Sequence, residues 1–150
     1  MNITTITKTA FGAAIMLAGA FAMPTGAGAA DRVRIQCSAT GAIDISMRAR
    51  YEINRSVTPN RRKFSTEFEA GPGTGFLAGS RLNVVVKGVK VGSMRLEAIA
   101  GGDVVGDLNF DTRPQLDALP FPANWPAGVG RGTRVNVLRG TTGVLGCTLG

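Results

Sequence analysis

Histidine is absent from this 150-residue chain, cysteine occurs twice, and tryptophan and tyrosine once each. Without histidine the Ser-His and Cys-His nucleophile systems cannot be assembled. Two cysteines alone cannot supply a zinc or haem ligand set. No stretch after Met23 is long and apolar enough to span a bilayer, and helical periodicity is missing throughout. The glycine-rich run Gly71-Pro72-Gly73-Thr74-Gly75 lacks the Gly-Lys-Ser/Thr ending of a P-loop, and no helix is predicted after it. Asp107-Leu108-Asn109-Phe110-Asp111 opens like a calcium loop, but Thr112 stands where a glycine is required and Ala118 where a bidentate glutamate belongs. That excludes an EF-hand and leaves either a looser cation site at Asp107, Asn109 and Asp111, with or without Asp103, or acids that pair with Arg95 and Arg113 or blunt a strand edge. The ten acidic residues show no spacing that favours a glycosidase pair, and Lys63, Lys87 and Lys90 fall in no Ser-Lys motif. The expectation is a protein that is not an enzyme and needs neither cofactor nor metal.

What is present begins with an export signal. Lys8 is the only charge before Asp31, and Ala10 to Met23 is an apolar run of signal-peptide length, too short for a stable membrane span. Pro24 and the small residues Ala27-Gly28-Ala29 follow, so cleavage is expected after Ala29, with Ala30 as the second choice. Residues 1–29 are therefore read as a signal peptide and 30–150 as one domain, bound for the periplasm or secretion. In an oxidising compartment Cys37 and Cys147, near the two ends of that domain, are expected to form a disulfide.

Period-two alternation runs through almost the whole domain. Val33, Ile35 and Cys37 alternate with Arg32, Arg34 and Gln36, and Ile43 to Ile53 alternates with Asp44, Ser46, Arg48, Arg50 and Glu52. A three-residue loop at Ala39-Thr40-Gly41 would set Cys37 opposite Ile43, Ile35 opposite Ile45 and Arg32 opposite Arg48. Lys63 to Ala70 repeats the pattern. Lys87-Gly88 reads as a two-residue turn joining Val84–Val86 to Val89–Val91, and a switch of inward phase near Gly92-Ser93 reads as a β-bulge. A loop at Gly101-Gly102-Asp103 would set Leu96 against Leu108 and Met94 against Phe110. Thr133–Arg139 and Val144–Leu149 form a last hairpin. The fold class is all-β: an antiparallel β-sandwich or small barrel of about eight short strands, its first and last strands linked by the disulfide.

Two features bear on function. Only Lys8 among the basic residues lies in the signal segment, so the domain carries sixteen basic residues against ten acidic, thirteen of them arginine. Arg32, Arg34, Arg48 and Arg50 lie on outward positions, and like charges directly opposed destabilise a sheet. They are the candidate anion-binding residues, suited by arginine's planar fork to phosphate, sulfate or carboxylate. The alternative is a solvated face balanced by Asp44, Glu52, Glu67 and Glu69. Nucleic acid is disfavoured because stacking aromatics are few. Gly128-Val129-Gly130-Arg131-Gly132-Thr133-Arg134 is either a nest of backbone amides for an anion or a flexible strand lead-in.

The second feature is the Pro-rich stretch 112–132, with four of the seven prolines and Trp125. It is longer than most structureless loops and is either a strap over the core or a recognition loop presenting Phe121 and Trp125. The functional expectation is an exported binding module for an anionic surface or acidic partner: a polysaccharide, lipopolysaccharide or protein. The alternatives are a secreted enzyme inhibitor and a structural subunit of an envelope or extracellular assembly.

Overall fold

Alternating apolar residues bury one face of a strand and leave the other wet, so such strands stack two sheets face to face. The computed structural model describes residues 31–150, which form nine strands and no helix. The signal segment expected at residues 1–29 lies outside the described residues. The strands are β1 (Arg32–Thr40), β2 (Ile45–Asn54), β3 (Arg61–Ala70), β4 (Arg81–Val86), β5 (Val89–Arg95), β6 (Glu97–Ala98), β7 (Val104–Asp111), β8 (Arg134–Arg139) and β9 (Thr142–Thr148). A five-stranded sheet has the order β1-β2-β3-β7-β6 and a four-stranded sheet the order β5-β4-β8-β9. All strand pairs are antiparallel.

The core lies between the sheets. Met47, Tyr51, Phe64, Phe68, Leu108 and Phe110 from the larger sheet meet Leu82, Val84, Val86, Met94, Val135 and Val137 from the smaller, all buried. Each such side chain contributes roughly 1.5–3 kcal/mol on burial. At Gly92 the sheets approach so closely that an added Cβ would lie 2.9 Å from Leu108 Cδ2.

Both lateral openings of the sandwich are closed. On one side Cys37 and Cys147 form the disulfide, joining β1 to β9 with Cα atoms 5.7 Å apart. Beside it the Gln36 amide donates to the Gly150 carbonyl at 3.3 Å, and the Gly150 amide to the Gln36 carbonyl at 3.2 Å. On the other side the chain passes from β5 through buried Leu96 into β6, crossing between sheets within three residues.

Two expected registers differ, and the last turn is shorter than the expected strand bounds imply. In the first hairpin Cys37 faces Ala49, Ile35 faces Tyr51 and Arg32 faces Asn54. The hairpin is therefore shifted by six residues from the expected pairing, and Ile43 falls in the exposed connection. An even shift keeps every apolar residue on the inner face, so alternation alone does not choose between the two. The observed register places Arg34 opposite Glu52 and removes the expected opposition of Arg32 and Arg48. Met94 and Leu96 do not pair with β7, because the crossing at Leu96 puts Glu97 opposite Val105 and Ala98 opposite Val104. The last hairpin turns at Gly140-Thr141, with a register shift between Val137 and Leu138.

The turn at Lys87-Gly88 pairs Val86 with Val89 as expected, and the register shift in β4–β5 pairs Val84 with Gly92. A bulge therefore sits at Val91, adjacent to the predicted position, and leaves both Val91 and Met94 buried.

Candidate anion-binding surface

The four candidate arginines share the outer face of the five-stranded sheet. Arg32 and Arg34 are already engaged. Arg32 Nη2 lies 2.6 Å from Glu52 Oε1 and Arg34 Nη2 3.0 Å from Oε2, and both Nε atoms donate to the same carboxylate. Burial would raise the Glu52 carboxyl, but the hydrogen bonds and charges of the two arginines outweigh it and hold the group below its ordinary range. Arg48 and Arg50 have no carboxylate within 4.0 Å among the described residues. Arg48 lies opposite Glu67, and Arg50 is half-buried with its Nε enclosed and no acceptor beside it.

Bases alternate with acids along one row of this sheet, whereas Glu67 stands opposite Asp107 in another. The alternating row reads Arg34, Glu52, Lys63, Asp111. Asp111 is buried under Arg61, which donates from Nη2 at 2.7 Å, and it accepts the Arg113 amide at 2.8 Å. Burial would raise Asp111, but these donors and the charges of Arg61 and Lys63 hold it below the ordinary range. Asp107 accepts from Asn109 Nδ2 at 2.6 Å. Asp107 and Asn109 thus bond to each other while Asp111 is committed to Arg61, Lys63 and the Arg113 amide, Arg95 forms no ion pair with these acids, and no cluster of three or more potential metal ligands occurs among the described residues.

Phe121 and Trp125 turn toward the core. Trp125 lies edge-on to Phe64, Phe110 and Phe121 with centroids 4.7–5.9 Å away, and stacks on Tyr51 at 6.2 Å. The Arg62 guanidinium covers Phe121 at 5.3 Å. Burial pushes the Tyr51 phenol up, against the opposing charge of Arg62. Asn124 Nδ2 pins the strap to the Lys90 carbonyl, and Leu119 bonds to Asn109 and Asp111 along the free edge of β7. The fully exposed apolar side chain of the stretch is Leu116, not Trp125.

The four-stranded sheet differs in charge from everything above. Its strands and their adjoining loops carry Arg81, Lys87, Lys90, Arg95, Arg131, Arg134 and Arg139, all exposed, and not one Asp or Glu occurs in residues 71–96 or 118–150. The other nine basic residues of the domain share the rest of the chain with all ten acids. The positive excess of the domain therefore comes from this sheet. Arg81 stands directly opposite Arg95, the like-charge opposition that the sequence reading located at Arg32 and Arg48. Alternation with buried Leu82 and Met94 is the signal in the sequence that points both side chains outward. Their pairing was not visible, because it depends on a bulge. No protein family, curated protein or solved structure matches this chain.

Proposed function

We propose that the protein is an exported module that acts by binding, not catalysis, and that the outer face of its four-stranded sheet engages an anionic polysaccharide, lipopolysaccharide or acidic protein. The observation that carries this reading is the segregation of charge: seven exposed cations without a carboxylate on one sheet, and near-balance on the other. A one-signed surface raises the local concentration of oppositely charged partners and speeds their approach. Arg81 opposite Arg95 costs a few tenths of a kcal/mol or more in the free protein, a cost that a bound anion removes. The disulfide is in keeping with an oxidising compartment, and no helix among the described residues is long and apolar enough to cross a membrane.

The test compares two variants of equal net charge on immobilised heparin or lipopolysaccharide. Arg81→Gln/Lys90→Gln/Arg95→Gln/Arg139→Gln should elute at much lower salt than wild type. Arg32→Gln/Arg34→Gln/Arg48→Gln/Arg50→Gln should elute close to wild type, because two of those guanidinia serve Glu52. Equal shifts in the two variants would mean that net charge alone governs retention, and the proposed face would be wrong.

A further inference from the structure

At one end of the acid-free sheet the Lys87-Gly88 turn faces the loop leading into β8. Between them lies an open, shallow groove of about 460 Å³, lined by Lys87, Gly128, Arg131, Arg134 and Asn136 among others, with no acidic residue in its wall. Its size falls in the usual range for small-molecule sites, roughly 300–1,000 Å³.

The cations around it are held in place by neutral groups. Lys87 Nζ donates to the Ala127 carbonyl at 3.0 Å, and Arg134 Nε donates to Asn136 Oδ1 at 3.2 Å. These contacts orient the charges without neutralising them, unlike the contacts of Arg32, Arg34 and Arg61. Arg134 reaches over Gly146, where the missing Cβ leaves room for its guanidinium. A Cβ there would collide with Asn136 Oδ1 and come within 2.9 Å of Arg134 Nη2.

Lys87 adds a second observation. It occupies the first central position of a type I′ turn with φ 51°, followed by Gly88 at 80°. Glycine, asparagine or aspartate is the usual occupant, because a larger side chain is strained in the left-handed region. A lysine in such a position is a reason to look for function. The Lys87 amide also bonds the Arg134 carbonyl at 2.9 Å, so the turn and the arginine strand are registered to each other.

We infer that this groove is a specific site for a tetrahedral oxyanion, a phosphate or sulfate monoester, gripped by Lys87, Arg131 and Arg134. Arg134 keeps its terminal nitrogens for a forked contact, and Lys87 contributes a point charge. The inference rests on the anion-binding reading of the sheet and narrows it: the ligand carries phosphate or sulfate groups, and carboxylates alone are recognised less well.

The experiment follows backbone amide shifts on the intact domain. Three probes, inorganic phosphate, glucosamine 1-phosphate and a sulfated disaccharide from heparin, separate a free ion from a sugar-borne one. Saturable shifts centred on Lys87-Gly88 and Gly128–Arg134 are expected, with tighter binding of the sugar esters if the group is carried on a glycan. Arg134→Gln should weaken binding at least fivefold. Lys87→Asn should weaken it similarly while raising the melting temperature, because asparagine suits the turn. A lysine with a purely structural role would not separate the two readouts in that way.

Shifts that spread evenly over all seven cations without saturating would overturn the site. So would equal affinity for galacturonate, a carboxylate. Loss of the groove response with heparin retention intact sinks this inference alone. Loss of heparin retention in wild type sinks the broader reading, whatever the groove does.

Discussion

Glu52 and Asp111 point out of the five-stranded sheet, yet only 8% and 6% of their side-chain surface meets water. Arginines roof them: Arg32 and Arg34 over Glu52, Arg61 over Asp111. Both carboxyls are held below their ordinary range, so between the folded and unfolded pKa values the unfolded chain binds more protons than the folded one. The stability they contribute is present above the unfolded carboxylate range, near pH 4, and is lost as pH falls through the lower folded values. Unfolding free energy should therefore drop as pH falls below about 4–5. In Glu52→Gln/Asp111→Asn that drop should be shallower, with stability at pH 7 lower by about 1–2 kcal/mol per site. Denaturant titrations from pH 2 to 7 check this, and an unchanged slope in the double variant would show that the two groups are not linked to folding. The arginines half-exposed over Glu52 are surface charges in the sequence but supports in the fold. Proximity of opposite charge across strands is set by register, which residue identity does not reveal.

Strand existence was legible at the scale of elements, because alternation at Val33–Cys37, Met47–Ile53 and Phe64–Ala70 needs no tertiary information. Pairing was legible only where a turn is short enough to dictate it, as at Lys87-Gly88. In the first hairpin the connection at Gly41–Asp44 has no such signature, and both candidate registers keep the apolar face intact. β6 was illegible because two residues carry no periodicity. The acid-free sheet was present in the sequence as long stretches without Asp or Glu, but those stretches are separated by β6, β7 and the first six residues of the strap, so they become one surface only on folding. The strap itself has a definite mechanical prediction. Trp125 closes an aromatic cluster of Tyr51, Phe64, Phe110 and Phe121, so Trp125→Ala should cost roughly 2–4 kcal/mol, near the lower range for aromatic truncation since the ring is part-exposed. Leu116→Ala, on a side chain wholly in solvent, should change stability by under about 0.5 kcal/mol. Equal costs at the two positions, measured by urea unfolding, would mean that the strap does not hold the core.

The whole molecule is a sandwich with one covalent closure and one continuous-chain closure. Leu96 carries the chain across between sheets at the β5–β6 side and survives any redox change. At the β1–β9 side the disulfide spans 110 residues of sequence, and the Gln36–Gly150 hydrogen bonds lie beside it. Loop-closure entropy for a span of that order stabilises the fold by about 4–5 kcal/mol when native geometry is unstrained. β9 carries no charge and no proline from Thr142 to Thr148, which leaves it few of the usual defences of an edge strand against pairing with other chains. Closure against β1 therefore does two things at once: it restricts the unfolded chain, and it keeps an adhesive edge beside a fixed neighbour. Cys37→Ala/Cys147→Ala should lose several kcal/mol in urea unfolding and should also gain concentration-dependent association at the β9 edge. Introducing lysine at Val144 in the same background should suppress the association without restoring stability. If the cysteine variant unfolds at the wild-type midpoint, the closure does not hold the fold. If it unfolds early but remains monomeric at high concentration, the edge is protected by its own twist and not by the disulfide.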